Sequence, residues 1–388
     1  MSRICIPDHE YVERLEKCAA IVAKKGYDIF LVNSNEADYA NVRYFTNYWP
    51  LFERAGVAIA PSGKAALLVG PESTVYAGDR SHIQTIFTML EYRESANPSY
   101  PEATVYTYEQ VFRALGVTGK HLRIGIGSML DTTGVMLEGL RACYPEAEIV
   151  EDFSIMTSLR QIKSENELAC IREGFRITKL ATEEVIRNLR PGVTELAMVG
   201  IAQRVIYENG AEYEGLPMYV FSEPSTRHAI SRPGYRTIGK GDIVQLNLSA
   251  KIDGYSPSIG MPVCVGKLSE EKRRYVEFCL EMHNWTTAQL RAGAIAGDIA
   301  KGFYKTYCDR GYKDAYVYGP CHGTGMIEVE APWMETSSDY PLEANMTFQV
   351  DTFISGPSFG IRWEKGVVVT ENGCCSMCGE LGKIYELE

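Results

Sequence analysis

The sequence predicts an α/β (α+β) protein with two domains, and three observations support this fold class. The chain has 388 residues, of which 45% are hydrophobic and 23% charged, so it is globular and long enough for two cores. Through residues 1–155, apolar runs alternate with amphipathic segments, which is typical of an α/β domain with a mixed sheet. Residues 156–388 contain long predicted helices and strand-like runs that end at Gly or Pro.

The amino-terminal elements begin with an amphipathic helix over residues 9–25, whose apolar side chains recur on one face until Gly26 ends the pattern. A strand over Tyr27–Val32 follows. Further strands are predicted at Gly56–Ala60, Ala65–Val69, Thr85–Leu90 and Arg123–Ile126, with helices at Tyr108–Leu115 and Thr132–Cys143.

The domain boundary is predicted at residues 155/156, shortly before a strong helix-start signal. Ser164 followed three residues later by Glu167 forms a capping box, in which each side chain accepts a hydrogen bond from the other residue's backbone N–H. A long amphipathic helix is therefore expected to run to about Asn188. A second helix is expected over Glu195–Asn209.

Four stretches between Ser222 and Thr370 have the composition of one buried site. They are SEPSTRHAISRP (222–233), GDIVQLNLSAKIDGYSPSIGMPV (241–263), GPCHGTGMIEVEAP (319–332) and the strand pair within 345–370. The third is rich in Gly and contains one His, whereas the second and fourth are apolar or β-branched. Polar groups from distant strand ends commonly converge around a small molecule.

These stretches resemble the pita-bread fold family, which includes methionine and Xaa-Pro aminopeptidases, prolidase and creatinase. The His of the family motif G-H-x-x-G matches His322, and the Glu of R-x-E matches Glu364. The frame of the family's first strand pair is matched by Gly241, Asp242, Val244, Ala250, Gly254 and Tyr255. The resemblance implies a creatinase-type amino-terminal domain over 1–155 and a pita-bread catalytic domain over 156–388.

The chain departs from the family's metallopeptidases at their metal ligands. Asn247 and Ser258 stand where those enzymes have two Asp ligands, and Asp351 stands where they have a Glu. Two cations about 3.5–4 Å apart need bridging carboxylates, and Ser is a poor substitute for a carboxylate ligand. We therefore expect no cofactor. If a single ion does bind, the resemblance leaves His322, Asp351 and Glu364 as its ligands.

Creatinase, the metal-independent member, also carries Asn at the first of these positions. The resemblance thus implies a metal-independent hydrolase that cleaves a C–N bond in a small zwitterionic or amino-acid-derived substrate, with His228 as acid/base. It further implies a homodimer in which Phe52 and Arg54 of one subunit enter the site of the other. Arg54 would hold a substrate carboxylate through its bidentate fork. Gly260 and Val329 replace two further site residues of creatinase, so the substrate is expected to differ from creatine.

The predicted catalytic residues are His228, Glu364 and His322, and the predicted substrate-binding residues are Phe52, Arg54, Asn247, Ser258, Glu330, Asp351 and Arg362. Two alternatives remain open. One is a Xaa-Pro dipeptidase or aminopeptidase with a degenerate metal site. The other is a catalytically inactive homologue that binds a small molecule.

The net charge of −11 argues against nucleic acid or an anionic membrane as a partner. The amino terminus lacks the apolar core of a signal peptide, and no window approaches the roughly 18 apolar residues of a membrane span. We therefore expect a cytoplasmic protein.

The 11 Cys are expected to be reduced thiols. They include Cys374, Cys375 and Cys378, which the sequence places beyond the last strand without a second ligand pair at zinc spacing.

Overall fold

The computed structural model describes residues 3–379 and 383–388, and the chain divides into two compact units. One unit comprises Ile6–Arg160; the other comprises Gln161–Glu388 together with the residues up to Cys5. The helix Phe153–Arg160 lies wholly within the first unit. The units consequently separate five residues after the predicted boundary at 155/156.

The amino-terminal unit is built on a six-stranded mixed sheet, as the sequence predicts. The strands are β1 (Ile29–Ser34), β2 (Ala55–Ile59), β3 (Ala65–Val69), β4 (Ile86–Thr88), β5 (Arg123–Ile126) and β6 (Glu148–Glu151). Strand β1 pairs antiparallel with β2 and parallel with β5, and the spatial order is β4-β3-β2-β1-β5-β6. The helices are α1 (Asp8–Lys24), α2 (Ala40–Thr46), α3 (Thr74–Arg80), α4 (Tyr108–Ala114), α5 (Gly134–Cys143) and α6 (Phe153–Arg160).

Two helices open the carboxy-terminal unit, α7 (Glu165–Asn188) and α8 (Glu195–Glu208). The predicted capping box at the start of α7 is confirmed. The Ser164 hydroxyl accepts from Glu167 N at 3.1 Å, and the Glu167 carboxylate accepts from Ser164 N at 2.7 Å. Each bond satisfies a backbone donor that the first helical turn leaves without a partner.

The strands of the second sheet are β7 (Tyr219–Ser222), β8 (Ile243–Ser249), β9 (Ser258–Val265), β10 (Cys321–Gly323), β11 (Glu330–Met334), β12 (Thr347–Ser355), β13 (Gly360–Thr370), β14 (Gly373–Ser376) and β15 (Tyr385–Leu387). Their spatial order is β11-β10-β12-β13-β9-β8-β7, with β14 added to β13 and β15 added to β9. Helices α9 (Glu270–Gln289) and α10 (Ala296–Asp309) lie between β9 and β10 in the chain. Cys374 and Cys375 belong to β14, so their predicted position beyond the last strand is wrong.

The register of the central strands brings the polar positions together. Asp351 on β12 lies opposite Glu364 on β13, and Glu364 lies opposite Gly260 on β9. Gly260 in turn lies opposite Asn247 on β8. Directly opposed residues point to the same face of a sheet. A Cβ on Gly260 would lie 2.5 Å from Asn247 Nδ2 and 2.7 Å from Glu364 Cβ. The glycine thus leaves the space in which these two side chains meet.

A search of the helices among the described residues found none with the length and apolar character that a membrane crossing requires.

Candidate active site

Glu364 lies on the polar face formed by β8, β9, β12 and β13, where two neighbouring side chains hydrogen-bond to its carboxyl group. It is 3% exposed. Asn247 Nδ2 donates a hydrogen bond to one of its carboxylate oxygens, and Ser258 Oγ lies 2.8 Å from the other. Gln245 holds the Asn247 amide in this orientation, because its Nε2 donates to Asn247 Oδ1 at 3.0 Å. Neighbouring strands therefore fix the orientation of the Glu364 carboxyl group.

Ser258 connects Glu364 to a second carboxyl group, that of Glu328. Its Oγ lies 2.9 Å from Glu328 Oε1 and also accepts from Gln349 Nε2 at 2.9 Å. A hydroxyl has one hydrogen to donate, so it can donate to only one of the two Glu residues. The other must then donate to Ser258. The geometry therefore calls for one proton on the pair formed by Glu328 and Glu364.

His322 faces both of these carboxyl groups. Its Nδ1 lies 2.9 Å from Gly323 O, and a carbonyl can only accept, so Nδ1 carries the proton of the neutral ring. Its Nε2 then presents a lone pair, 3.8 Å from Glu364 Oε1 and 4.0 Å from Glu328 Oε1. We call His322, Glu328 and Glu364 the acidic trio.

Burial controls the electrostatics of the trio. Burial, and after it the charge of Glu328, holds the pKa of Glu364 well above its ordinary value. Burial also raises the pKa of Glu328, whose side chain is 12% exposed. Two close carboxylates in a medium of low polarity cannot both ionise cheaply. This agrees with the single proton that the hydrogen bonds of Ser258 require.

Asp351 belongs to a separate ion-pair cluster. Its Oδ1 lies 3.1 Å from Arg362 Nε, and its Oδ2 accepts from the Tyr318 hydroxyl at 2.6 Å. Arg362 Nη2 also donates to Tyr318 Oη at 2.7 Å. Burial raises the pKa of Asp351, and the positive charge of Arg362 opposes that shift. Asp351 Oδ2 therefore has a hydrogen-bond partner, whereas Oδ1 has an ion-pair contact with Arg362 that is not aligned as a hydrogen bond.

Glu330 is held by a buried ion pair. Lys163 Nζ donates to its Oε1 at 3.0 Å, and the backbone N–H of Ile327 lies 3.4 Å from its Oε2. Both charged side chains are almost fully buried. The pair shapes the turn that presents Glu328 to the other members of the trio.

Comparisons with known proteins place the chain in a family. The model of metallopeptidase family M24 matches residues 169–371, and the model of the creatinase/prolidase N-terminal domain matches residues 14–162. The chain belongs to the M24 family. The predicted membership of the pita-bread fold family is thereby confirmed, as is the predicted α/β (α+β) fold class.

Several relatives of the M24 chain cover nearly its whole length. The "Uncharacterized peptidase YqhT" of Bacillus subtilis is 26% identical over 365 residues, which are 93% of this chain and 96% of that protein. The Xaa-Pro dipeptidase of Pyrococcus furiosus is 24% identical over 368 residues, with the same two coverages. The X-Pro aminopeptidase from Thermotoga maritima superposes with a TM-score of 0.81 at 20% identity, covering 96% of this chain and 99% of that one.

The donor set of this M24 chain fits one divalent cation better than two. Asn247 and Ser258 offer no carboxylate at the two positions where a dinuclear site needs them. Among the described residues, the acidic trio is the group of His, Cys, Asp and Glu close enough to share an ion, with ligand atoms within 4.8 Å of one another. Imidazole nitrogen and carboxylate oxygen both bind divalent cations, so the trio offers three possible ligands.

Glu328 is the trio member that sequence analysis missed. Asp351, the predicted third ligand, is not part of the trio because Arg362 and Tyr318 already engage it. The available signal in the sequence was a second Glu in the Gly-rich segment, two residues before Glu330. Position-by-position comparison with family motifs overlooks such a residue, since the motifs assign it no role.

His228 lies on a loop that packs against the β12–β13 hairpin. Ser355 Oγ donates to Arg227 O at 3.1 Å, and Arg362 Nη2 donates to Ala229 O at 2.9 Å. The imidazole itself is exposed, with Nδ1 3.4 Å from Ser231 Oγ. Arg362 thus holds the backbone of the loop one residue after His228, whereas the His228 ring is accessible to a ligand.

Phe52 and Arg54 belong to the amino-terminal unit. Phe52 is 78% exposed with a φ of 59°, and Arg54 is half-buried. Between them, the buried carboxylate of Glu53 accepts from Ser73 N at 2.9 Å and so anchors the loop. Their predicted entry into the site of a second subunit stays a prediction.

Proposed function

We propose that this M24 protein hydrolyses a peptide or related amide C–N bond in a small substrate, at the acidic trio. The observation that carries the proposal is the convergence of possible ligand atoms of His322, Glu328 and Glu364 within 4.8 Å of one another. His322 and Glu364 are buried, and Glu328 is partly buried. Support comes from family membership and from the Xaa-Pro dipeptidases among the relatives. This favours the peptidase alternative over the creatinase-like hydrolase that the sequence first suggested.

The two carboxyl groups of the trio supply the proton transfers. One member of the pair Glu328 and Glu364 is a carboxylate that can accept a proton from attacking water. The proton taken from the water can then pass to the leaving nitrogen, so the step does not depend on the shared proton that a cation would displace. Ser258 contacts both carboxyl groups, and Asn247 holds the orientation of Glu364. These contacts keep the two carboxyl groups close together.

A divalent cation held by the trio would supply Lewis-acid polarisation of the scissile carbonyl. The residues that would hold it are His322 through its Nε2 lone pair, and Glu328 and Glu364 through their carboxylates. Cation binding would displace the shared proton, so metal affinity should fall at low pH.

The second candidate is the metal-independent hydrolysis that the sequence suggested. The observation favouring it is that Asn247 and Ser258 already satisfy the Glu364 carboxyl group with hydrogen bonds. In that case His228, on the loop tied to Arg362, acts as acid/base. The candidate substrate-binding groups are Phe52, Arg54, Asn247, Ser258, Glu330, Asp351 and Arg362.

Metal analysis and a paired variant test the main proposal. We expect about one equivalent of metal per chain and turnover of a Xaa-Pro dipeptide that chelator abolishes and Mn²⁺ restores. Glu328→Gln should lower kcat by at least about a hundredfold. Glu335→Gln, which changes an exposed acid seven residues further along the chain, should leave kcat unchanged. Chelator-resistant turnover that His228→Ala abolishes would favour the second candidate. No turnover of dipeptides, N-methylated amino acids or cyclic amides would favour the inactive binding homologue.

We further propose a homodimer in which Arg54 completes the neighbouring site. Mixing Arg54→Ala protein with Glu364→Gln protein under exchanging conditions tests this. Random exchange places one intact site in half of the dimers, so activity should recover to about a quarter of wild type. If Arg54 acts within its own chain, or not at all, mixing restores nothing above the sum of the separate proteins.

A further inference from the structure

Two aromatic side chains that are not fully buried flank the acidic trio along its sheet. Trp333 on β11 lies directly opposite His322 on β10, and Tyr219 on β7 lies directly opposite Asn247 on β8. Directly opposed residues of neighbouring strands point to the same face, so both rings lie on the face that carries the trio. Strands β11 and β7 stand at the two ends of the strand order, with β10 and β13 between them. The trio therefore lies between an indole on one side and a phenol on the other.

Trp333 is the more accessible of the two aromatic residues. It is 40% exposed, although Trp is highly buried on average in folded proteins. The centroid of its ring lies 5.4 Å from that of the His322 imidazole, with an angle of 45° between the planes. The indole thus contacts a member of the trio and still has apolar surface that a ligand can cover.

The backbone at Trp333 is held by two hydroxyl groups. Ser338 Oγ donates to Trp333 O at 2.9 Å, and Tyr340 Oη donates to the same oxygen at 2.8 Å. These bonds fix the main chain from which the indole projects. An aromatic ring on a fixed backbone gives a large contact area at a low cost in conformational entropy.

Tyr219 bounds the site on the opposite side. Its ring stacks on that of Phe221, with 4.6 Å between the centroids and 28° between the planes. Burial raises the pKa of Tyr219, the positive charge of Arg362 opposes that shift, and the charges of Glu328 and Glu364 add to it. The influence of these charges agrees with the place beside the polar face that the strand register gives to the phenol.

We infer that Trp333 is a specificity-determining residue, whose indole binds an apolar side chain of the substrate on one side of the scissile bond. The trio supplies polar groups for the amide, whereas the indole gains from contact with an apolar or aromatic group. Because Trp333 and Tyr219 lie on opposite sides of the trio, Trp333 contacts only one of the two residues that the bond joins. The substrate class is thus a dipeptide-like amide with a large apolar residue at that position. The inference rests on the proposed hydrolysis for its reaction.

Turnover of the dipeptides Ala-Ala, Phe-Ala and Ala-Phe in the presence of Mn²⁺ tests the inference. For one of the two Phe dipeptides, Trp333→Ala should lower the ratio of its kcat/KM to that of Ala-Ala by at least about tenfold, since a contact between aromatic rings is lost. The ratio for the other Phe dipeptide should stay as in wild type. A ratio between substrates cancels general damage to the enzyme, which would affect all three alike.

Two further variants control this measurement. Trp333→Phe keeps an aromatic ring and should retain most of the preference. Tyr207→Ala removes a ring of similar exposure, 45%, on α8 and should change neither ratio. If Trp333→Ala leaves both ratios unchanged, or lowers both alike, the inference is overturned.

A binding measurement separates failure of this inference from failure of the proposed hydrolysis. Absence of any dipeptide turnover would refute the hydrolysis alone. Calorimetric titration then uses analogues of Phe-Ala and Ala-Phe in which CH₂–NH replaces the peptide group. At least one analogue should bind wild type saturably and Trp333→Ala about tenfold more weakly. Equal affinities, or no saturation below about 10 mM, would contradict the role of Trp333.

Hydroxyl-radical footprinting of the wild-type protein keeps the test decisive if Trp333→Ala fails to fold. Oxidation of individual side chains is followed by mass spectrometry with and without the better-binding analogue. The analogue should slow oxidation of Trp333 severalfold without slowing that of Tyr207. Equal oxidation rates of Trp333 in the two conditions would show that the indole does not contact the ligand.

Discussion

Removing the buried partner of Glu330 should cost the carboxy-terminal unit much of its stability. Lys163 Nζ and Glu330 Oε1 are 3.0 Å apart, and the two side chains are 2% and 6% exposed. Lys163→Met would remove the positive charge that Lys163 places beside this buried carboxylate, and breaking a buried ion pair costs about 3–5 kcal/mol.

Urea unfolding of wild type, Lys163→Met and the double variant Lys163→Met/Glu330→Gln measures this cost. The double variant should recover a substantial part of the loss, since it also removes the negative charge of Glu330. Lys305→Met, which breaks an exposed pair with Asp309, is the matched control and should change the free energy of unfolding by less than about 1 kcal/mol. If Lys163→Met loses no more than this control, the ion pair does not hold the turn that carries Glu328.

Three further perturbations test the site and the sheet that supports it. Gly260→Ala should destabilise the protein by about 1–3 kcal/mol and lower activity, because its Cβ would meet Asn247 and Glu364; wild-type stability in urea would contradict the close packing. Asn247→Asp should destabilise metal-free protein and tighten Mn²⁺ binding through a third carboxylate; calorimetry showing unchanged affinity would refute the proposed cation position. His283 has a folded pKa of about 3, against an ordinary value of 6.5 for an exposed imidazole. Its contribution is therefore complete above pH 6.5 and is lost as the pH falls, by about 2 kcal/mol at pH 5. Comparing pH 7 with pH 5, His283→Asn should lose about that much less stability than wild type, whereas His121→Asn, at an exposed site, should behave as wild type.

The contrast between Asp351 and Glu328 shows how neighbours decide the role of an acid. The sequence places Asp351 and Glu364 in matching positions of two strands, and the register does set them opposite each other. Arg362 lies two residues from Glu364 on the same strand, so both side chains point to one face and Arg362 reaches Asp351. Glu328 comes from an irregular turn, and its approach to Ser258 has no periodic signal in the sequence.

The fold class, the mixed amino-terminal sheet and the start of α7 followed from the sequence alone. These features depend on local rules, namely alternation of apolar residues, Gly and Pro at element ends, and the capping pair Ser164 and Glu167. His322 and Glu364 could likewise be named in advance, because short motifs surround them. The loss of two carboxylates at Asn247 and Ser258 was also evident in the sequence.

Only the tertiary structure decided which acids share the site. Strand register, the glycine at position 260 and the turn held by Lys163 and Glu330 bring Glu328 and Glu364 to one hydroxyl group. Contacts of this kind join residues far apart in the chain, and the free energy of burying and pairing their charges depends on every neighbour at once.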